Sequence, residues 1–162
     1  SHNALRIDPD NSNVYLHLGN IYLLQGQIDE AISNYHQAIQ REPDKLVAHF
    51  NLAIAYVKKG EMNKIVAQYF EVLRIKPDHL DTHLYLANIF ANQGIIKEAR
   101  YHYLQVLRIN PDHVSARRKL ERLNQCQKEK KNKGGVLCSW LNDLAQVVAT
   151  LSYVCHAARV LA

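Results

Sequence analysis

Proline, glycine and cysteine are all scarce in this chain: four, six and three residues in 162. Each shortage excludes something. Three cysteines, Cys126, Cys138 and Cys155, form an odd and unclustered set. That argues against a disulfide framework, fits a reducing compartment, and lacks the paired spacing of a zinc site. No segment alternates apolar and polar residues as a strand does, so there is no strand for a glycine-rich phosphate loop to follow. Serines are few and stand without a base that would activate them, which removes the usual nucleophile constellations. No secretory signal is visible. The expected location is cytoplasmic, and neither an enzyme activity nor a cofactor nor a metal is expected.

What proline there is falls at a fixed interval. Pro9, Pro43, Pro77 and Pro111 stand thirty-four residues apart, and the sequence between them repeats with them. A period of this length belongs to stacked supersecondary units, each leaving an apolar face for its neighbour to cover. Within each unit a first apolar stripe runs at steps of three and four: Tyr15, Leu18, Gly19 and Tyr22; His49, Leu52, Ala53 and Tyr56; His83, Leu86, Ala87 and Phe90. That spacing predicts a helix. Glycine then breaks the chain at Gly26, Gly60 and Gly94, and a second stripe follows with Ala31, Tyr35 and Ala38, or Ala99, Tyr103 and Val106. The middle copy keeps Tyr69 and Val72 but has Ile65 in place of alanine. Every copy closes on a proline–aspartate pair, which suits a turn or the start of the next helix.

Leu18, Gly19, Tyr22, Ala31, Tyr35 and Pro43, with Tyr15 in the tryptophan position, resemble the tetratricopeptide repeat (TPR) pattern W-x2-L-G-x2-Y…A-x3-F…P. Three copies in register make the resemblance specific over about Ala4 to Gln127. It implies an all-α fold, a right-handed superhelical TPR solenoid of antiparallel helix pairs with a capping helix and an extra C-terminal helix. The expected organisation is a remnant of a preceding repeat at 1–11, repeats at 12–45, 46–79 and 80–113, a charged capping helix at 114–133, a Gly-Gly joint at 134–135 and an amphipathic helix at 136–162.

Charge is concentrated near the end of the repeats. Arg117–Lys133 holds eight basic and two acidic residues, although the net charge of the chain is only +5. A solvated capping helix is the first reading, and contact with acidic protein, lipid or nucleic acid is the alternative. Beyond it, Leu137, Leu141, Leu144, Val148, Leu151 and Cys155 form a heptad-like seam that wants a partner. Asp143, Gln146, His156 and Arg159 interrupt it too often for a membrane span. Stacking behind the cap, occupation of a groove in cis or in trans, self-association and an engineered origin all stay open for residues 136–162. His79 and His83, with Asp78 and Asp81, look superficially like metal ligands but fall on turn and packing positions.

By the TPR resemblance, the first helix of each pair lines a binding surface. The positions that would face it are Asn13, Leu16, Asn20 and Leu23; Val47, Phe50, Asn51, Ile54 and Val57; Asp81, Leu84 and Asn88. Some relatives hold a C-terminal carboxylate there with lysine, asparagine and arginine. Here Leu16, Asp81 and Tyr85 occupy the basic positions, which disfavours that ligand. The implied function is a non-catalytic scaffold that binds a helical or extended peptide of a protein partner in a largely apolar groove. A substrate-recruiting arm of a larger enzyme, such as a glycosyltransferase, is the alternative; nucleic acid is not favoured.

Overall fold

A computed structural model describes residues 11–132. Among the described residues there are seven helices and no strand. They fall into two compact units that divide between Pro77 and Asp78. The first holds α1 (Ser12–Leu24), α2 (Ile28–Arg41), α3 (Leu46–Lys59) and α4 (Met62–Ile75). The second holds α5 (Leu80–Asn92), α6 (Ile96–Ile109) and α7 (Val114–Asn132). The remnant at 1–11 (except its last residue), the Gly-Gly joint and the helix at 136–162 lie outside the described residues.

Glycine ends the first helix of each pair for a conformational reason. Gly26, Gly60 and Gly94 have φ of +76°, +74° and +73°, while an added Cβ would meet nothing within 4 Å. The left-handed backbone is therefore the requirement, not space. It lets the next amide reach back across the turn, as Gln27 N–H does to Tyr22 O at 2.9 Å and Ile95 N–H to Phe90 O at 2.8 Å.

Pro43–Asp44, Pro77–Asp78 and Pro111–Asp112 lie in the turns between successive helix pairs. Aspartate does not cap the helix that follows. The Asn11 side chain accepts from Asn13 N–H, and the Nδ1 atoms of His79 and His113 accept from Thr82 and Ala116 N–H at 3.3 and 3.1 Å. Histidine Nδ1 acts here as the acceptor at a helix start, where backbone donors have no partner of their own.

Each pair is held by the residues that recur in the sequence. Ala31, Tyr35 and Ala38 of α2, Ile65, Tyr69 and Val72 of α4, and Ala99, Tyr103 and Val106 of α6 are buried. Gly19 on α1 admits the Tyr35 ring: a Cβ there would stand 2.6 Å from its Cε1. That ring is wholly buried and cannot swing away. Gly19→Ala should therefore lower stability by about 1–2 kcal/mol. Overpacking costs about 1–3 kcal/mol, and the better helix propensity of alanine returns up to about 1 kcal/mol. Chemical denaturation checks this, and a more stable variant would refute it.

Cross-links within the first unit repeat at nearly the same separation. Ser12 Oγ donates to Glu42 at 2.5 Å, Lys59 pairs with Asp29 at 2.6 Å and Arg74 with Asp44 at 2.6 Å. The two ion pairs among them are exposed and contribute little to stability. Packing of the alanine–tyrosine layers dominates.

Candidate peptide-binding face

In the first unit the expected binding residues lie on α1 and α3, and the side chain of Asn20 ties the two helices together. Its Oδ1 accepts from Asn51 Nδ2 at 2.8 Å and from the Tyr35 hydroxyl at 2.9 Å. Burial pushes the Tyr35 phenol above the ordinary tyrosine range, so it is always a donor. Both lone pairs of the Asn20 carbonyl are thereby spent. The Nδ2 group of Asn20, with two protons, and the carbonyl of Asn51 have no partner among the described residues.

The apolar positions around this pair divide. Leu16, Leu23 and Ile54 are buried, as is Asn51, while Asn13 and Val47 are exposed, Val47 by 49%. Val57 is half-buried, and so is Phe50, whose ring packs tilted against Tyr69 with centroids 5.8 Å apart. The accessible apolar surface at these positions is thus Val47, with parts of Phe50 and Val57. Because Ile54 is only 4% exposed, a charged residue there would test the fold rather than binding.

In the second unit Asp81 is exposed, and Leu84 and Asn88 are half-buried. Asp81 and burial together push Tyr85 up to about 12, burial being the larger cause. Asn88 repeats the Asn20 arrangement. Its Oδ1 accepts from the Tyr103 hydroxyl at 2.7 Å and from Lys119 Nζ at 2.7 Å. Asn20, Tyr35 and Asn51 each lie two repeat periods before Asn88, Tyr103 and Lys119. Lys119 was not among the expected binding residues.

His79 and His83 do not converge on a site. His79 Nδ1 is engaged at the start of α5, whereas His83 Nδ1 lies 2.9 Å from Nδ1 of His102 on α6, both rings buried. Among the described residues no group of three His, Cys, Asp or Glu side chains is placed to hold a metal. No helix among them is long and apolar enough to cross a membrane.

Comparison with known proteins agrees with this architecture. A profile described as "TPR repeat" matches residues 19–60, and one described as "Tetratricopeptide repeat" matches residues 3–33. No curated protein matches the sequence. The first TPR of Spaghetti (RPAP3), solved with the HSP90 peptide SRMEEVD, is similar at TM-score 0.64 and 22% identity, over 77% of this chain and 99% of that one. The P58(IPK) TPR domain is similar at TM-score 0.68 and 22% identity, over 90% of this chain and 40% of that one. The TPR domain of Arabidopsis OM64 gives TM-score 0.61 and 19% identity, over 70% and 94%. Residues 3–60 thus match tetratricopeptide repeats, and the fold is that of TPR domains.

Proposed function

We propose that this chain is a non-catalytic protein-interaction scaffold, and that the α1–α3 face of its first unit binds a helical or extended segment of a partner. One observation supports this most: Asn20 and Asn51, bonded to each other, present a spare amide donor and a spare carbonyl beside the exposed Val47. A polar pair fixes the direction of a bound backbone, and neighbouring apolar surface takes a side chain. Asn13, Phe50 and Val57 border the same face, and in the second unit Asp81, Leu84 and Asn88 occupy the equivalent first-helix positions.

Spaghetti (RPAP3) takes an acidic chaperone peptide, as its structure states. Leu16, Asp81 and Tyr85 stand at this chain's corresponding positions in place of cations. At the first unit Leu16 stands where the cation would be, which favours an apolar segment there.

Peptides selected from a random display library on the whole chain provide the test. Val47→Glu places a charge at an exposed position and should leave the thermal unfolding midpoint unchanged while weakening the selected peptides at least tenfold, about 1.4 kcal/mol. Equal affinity for the folded variant would remove the α1–α3 face from consideration. Recruitment of a substrate for a larger enzyme, such as a glycosyltransferase, is the alternative use of the same face.

A further inference from the structure

The solvent-facing stripe of α6 differs from its counterparts in the first unit. Lys97, Tyr101, Leu104 and Arg108 follow one another along one face of the helix and are all exposed, Tyr101 by 56% and Leu104 by 50%. One period earlier α4 has Asn63, Ala67, Phe70 and Arg74, and one period before that α2 has Asp29, Ser33, His36 and Gln40, again all exposed. A further helix pair follows α2 in the first unit, so stacking of pairs does not cover these positions. The polar stripe of α2 also shows that the hairpin needs no apolar residue there. Tyr101 and Leu104 are therefore surplus to the packing of α6, and adjoining apolar surface of this kind marks a contact. Ile95, exposed at the start of α6, extends it where the earlier copies have Gln27 and Glu61.

α7 carries the rest of the chain toward this stripe. Arg100 Nη1 of α6 donates to Gln127 Oε1 of α7 at 3.3 Å, so the end of α7 lies beside the start of α6. From Gln127 to Asn132 is about 7.5 Å of helix, and from Arg100 back to Ile96 is about 6 Å, which brings the two ends level. Arg100 stands three residues after Lys97 and four before Leu104, on the α7 side of the stripe. Its buried Nε has no hydrogen-bond partner among the described residues. Gly134 and Gly135 follow almost at once, and a glycine pair lets the chain reverse. α7 itself does not offer what α3 and α5 offer their second helices. Ala53 and Ala87 are wholly buried, whereas Glu121 at the equivalent position of α7 is exposed, as is Arg117 where His49 and His83 are buried. An apolar helix laid over them would strip water from two charges.

We infer that the outer face of α6, at Ile95, Tyr101 and Leu104, is the docking site for residues 136–162 of the same chain. The occupant is argued from reach and from pattern. Leu137, Leu141, Leu144, Val148 and Leu151 recur at steps of four and three, the spacing of an apolar helical seam. Such a seam measures about 21 Å from 137 to 151, against about 17 Å from Lys97 to Arg108, and a chain reversing at the glycines would run alongside α6. The two surfaces are alike in kind, each an apolar strip with polar residues on its flanks, and each is otherwise left to water. The docked segment would close the outer side of the second unit and leave its first helices open. The inference does not depend on the α1–α3 face.

Benzoylphenylalanine at position 101 of the whole chain, irradiated with no peptide added, tests this, and the same residue at position 117 samples the exposed face of α7. The expected result is an adduct from position 101 to a residue of 136–162, at monomer mass and in a yield unchanged on dilution, with none from position 117. An adduct from position 117 would place the segment behind α7, and one at dimer mass that fades on dilution would place it on a second copy. Either overturns the inference, as does no adduct to 136–162. A second measurement does not need the unnatural residue. Leu104→Glu puts a charge at a position already half exposed, so α6 should stay folded while the segment is released. Chymotryptic cleavage after Trp140 should then quicken at least about tenfold, because proteolysis follows the population of the open form. Ser33→Glu, on the matching stripe of α2, should change it less than about twofold. Equal rates for the two variants would show that Leu104 does not hold the segment. Val47→Glu should leave the rate unchanged, which separates failure of this site from failure of the first-unit face.

Discussion

Tyr35→Ala is expected to destabilise the protein by about 3–5 kcal/mol, the range for emptying a buried aromatic site. The ring is fully enclosed between α1 and α2, where Gly19 lies against its edge. Alanine would leave that space to collapse only as far as two helices with short connections allow. Its hydroxyl adds a second, smaller part. Tyr35→Phe deletes the bond to Asn20 but leaves the Asn51 bond in place, so it should cost only about 1 kcal/mol. Urea denaturation of the two variants measures both. If Tyr35→Ala cost no more than Tyr35→Phe, the ring would not be the keystone of its hairpin.

The second large effect is a dependence of stability on acidity that comes from His83 and His102. The two buried rings meet through their Nδ1 atoms at 2.9 Å, so one must donate and the other accept. Phe90 stacks on His102 at 5.6 Å and Tyr101 meets it edge-on at 5.1 Å, so aromatic rings pack against it. Burial, then the neighbouring His83, holds His102 down at about 4. In the unfolded chain its value returns to about 6.5.

Between those values the unfolded state binds the proton and the folded state does not, so stability rises with pH across this window. The contribution is complete above about pH 6.5 and is lost as pH falls toward 4. Going from pH 7.5 to 4.5 should cost about 2–3 kcal/mol through this residue. His36, lowered by burial and by Lys64 and His49, adds in the same direction. His102→Phe should flatten the profile by the share assigned to His102. An unchanged slope would mean that the pair stays buried and neutral at no cost.

How much of this was legible in the sequence varies with the kind of interaction. The 34-residue period set the helices because each repeating residue does its work within one unit: Gly60 turns the chain, Ala31 and Tyr35 pack, Leu52 fills. Buried tyrosines and histidines at repeat positions were also foreseeable. Which first-helix residues remain accessible was not. Leu16, Leu23 and Ile54 have the same spacing as Val47, and only packing separates the buried from the exposed.

Likewise, Leu18 is 37% exposed while its equivalents Leu52 and Leu86 are fully buried. Sequence identity at a repeat position does not fix what lies against it. The histidine caps escaped notice because the aspartate just before each was the better capping residue by type. Lys119 escaped because a lysine in a charged run reads as solvated, and only its bond to Asn88 reveals otherwise.

The scaffold reading turns on where a bound peptide lies. Photocrosslinking of a display-selected peptide from benzoylphenylalanine placed at Val47, and separately at the equally exposed Tyr101 of α6, measures this directly. An adduct from position 47 and none from position 101 is predicted. An adduct from position 101 with none from position 47 would contradict the account.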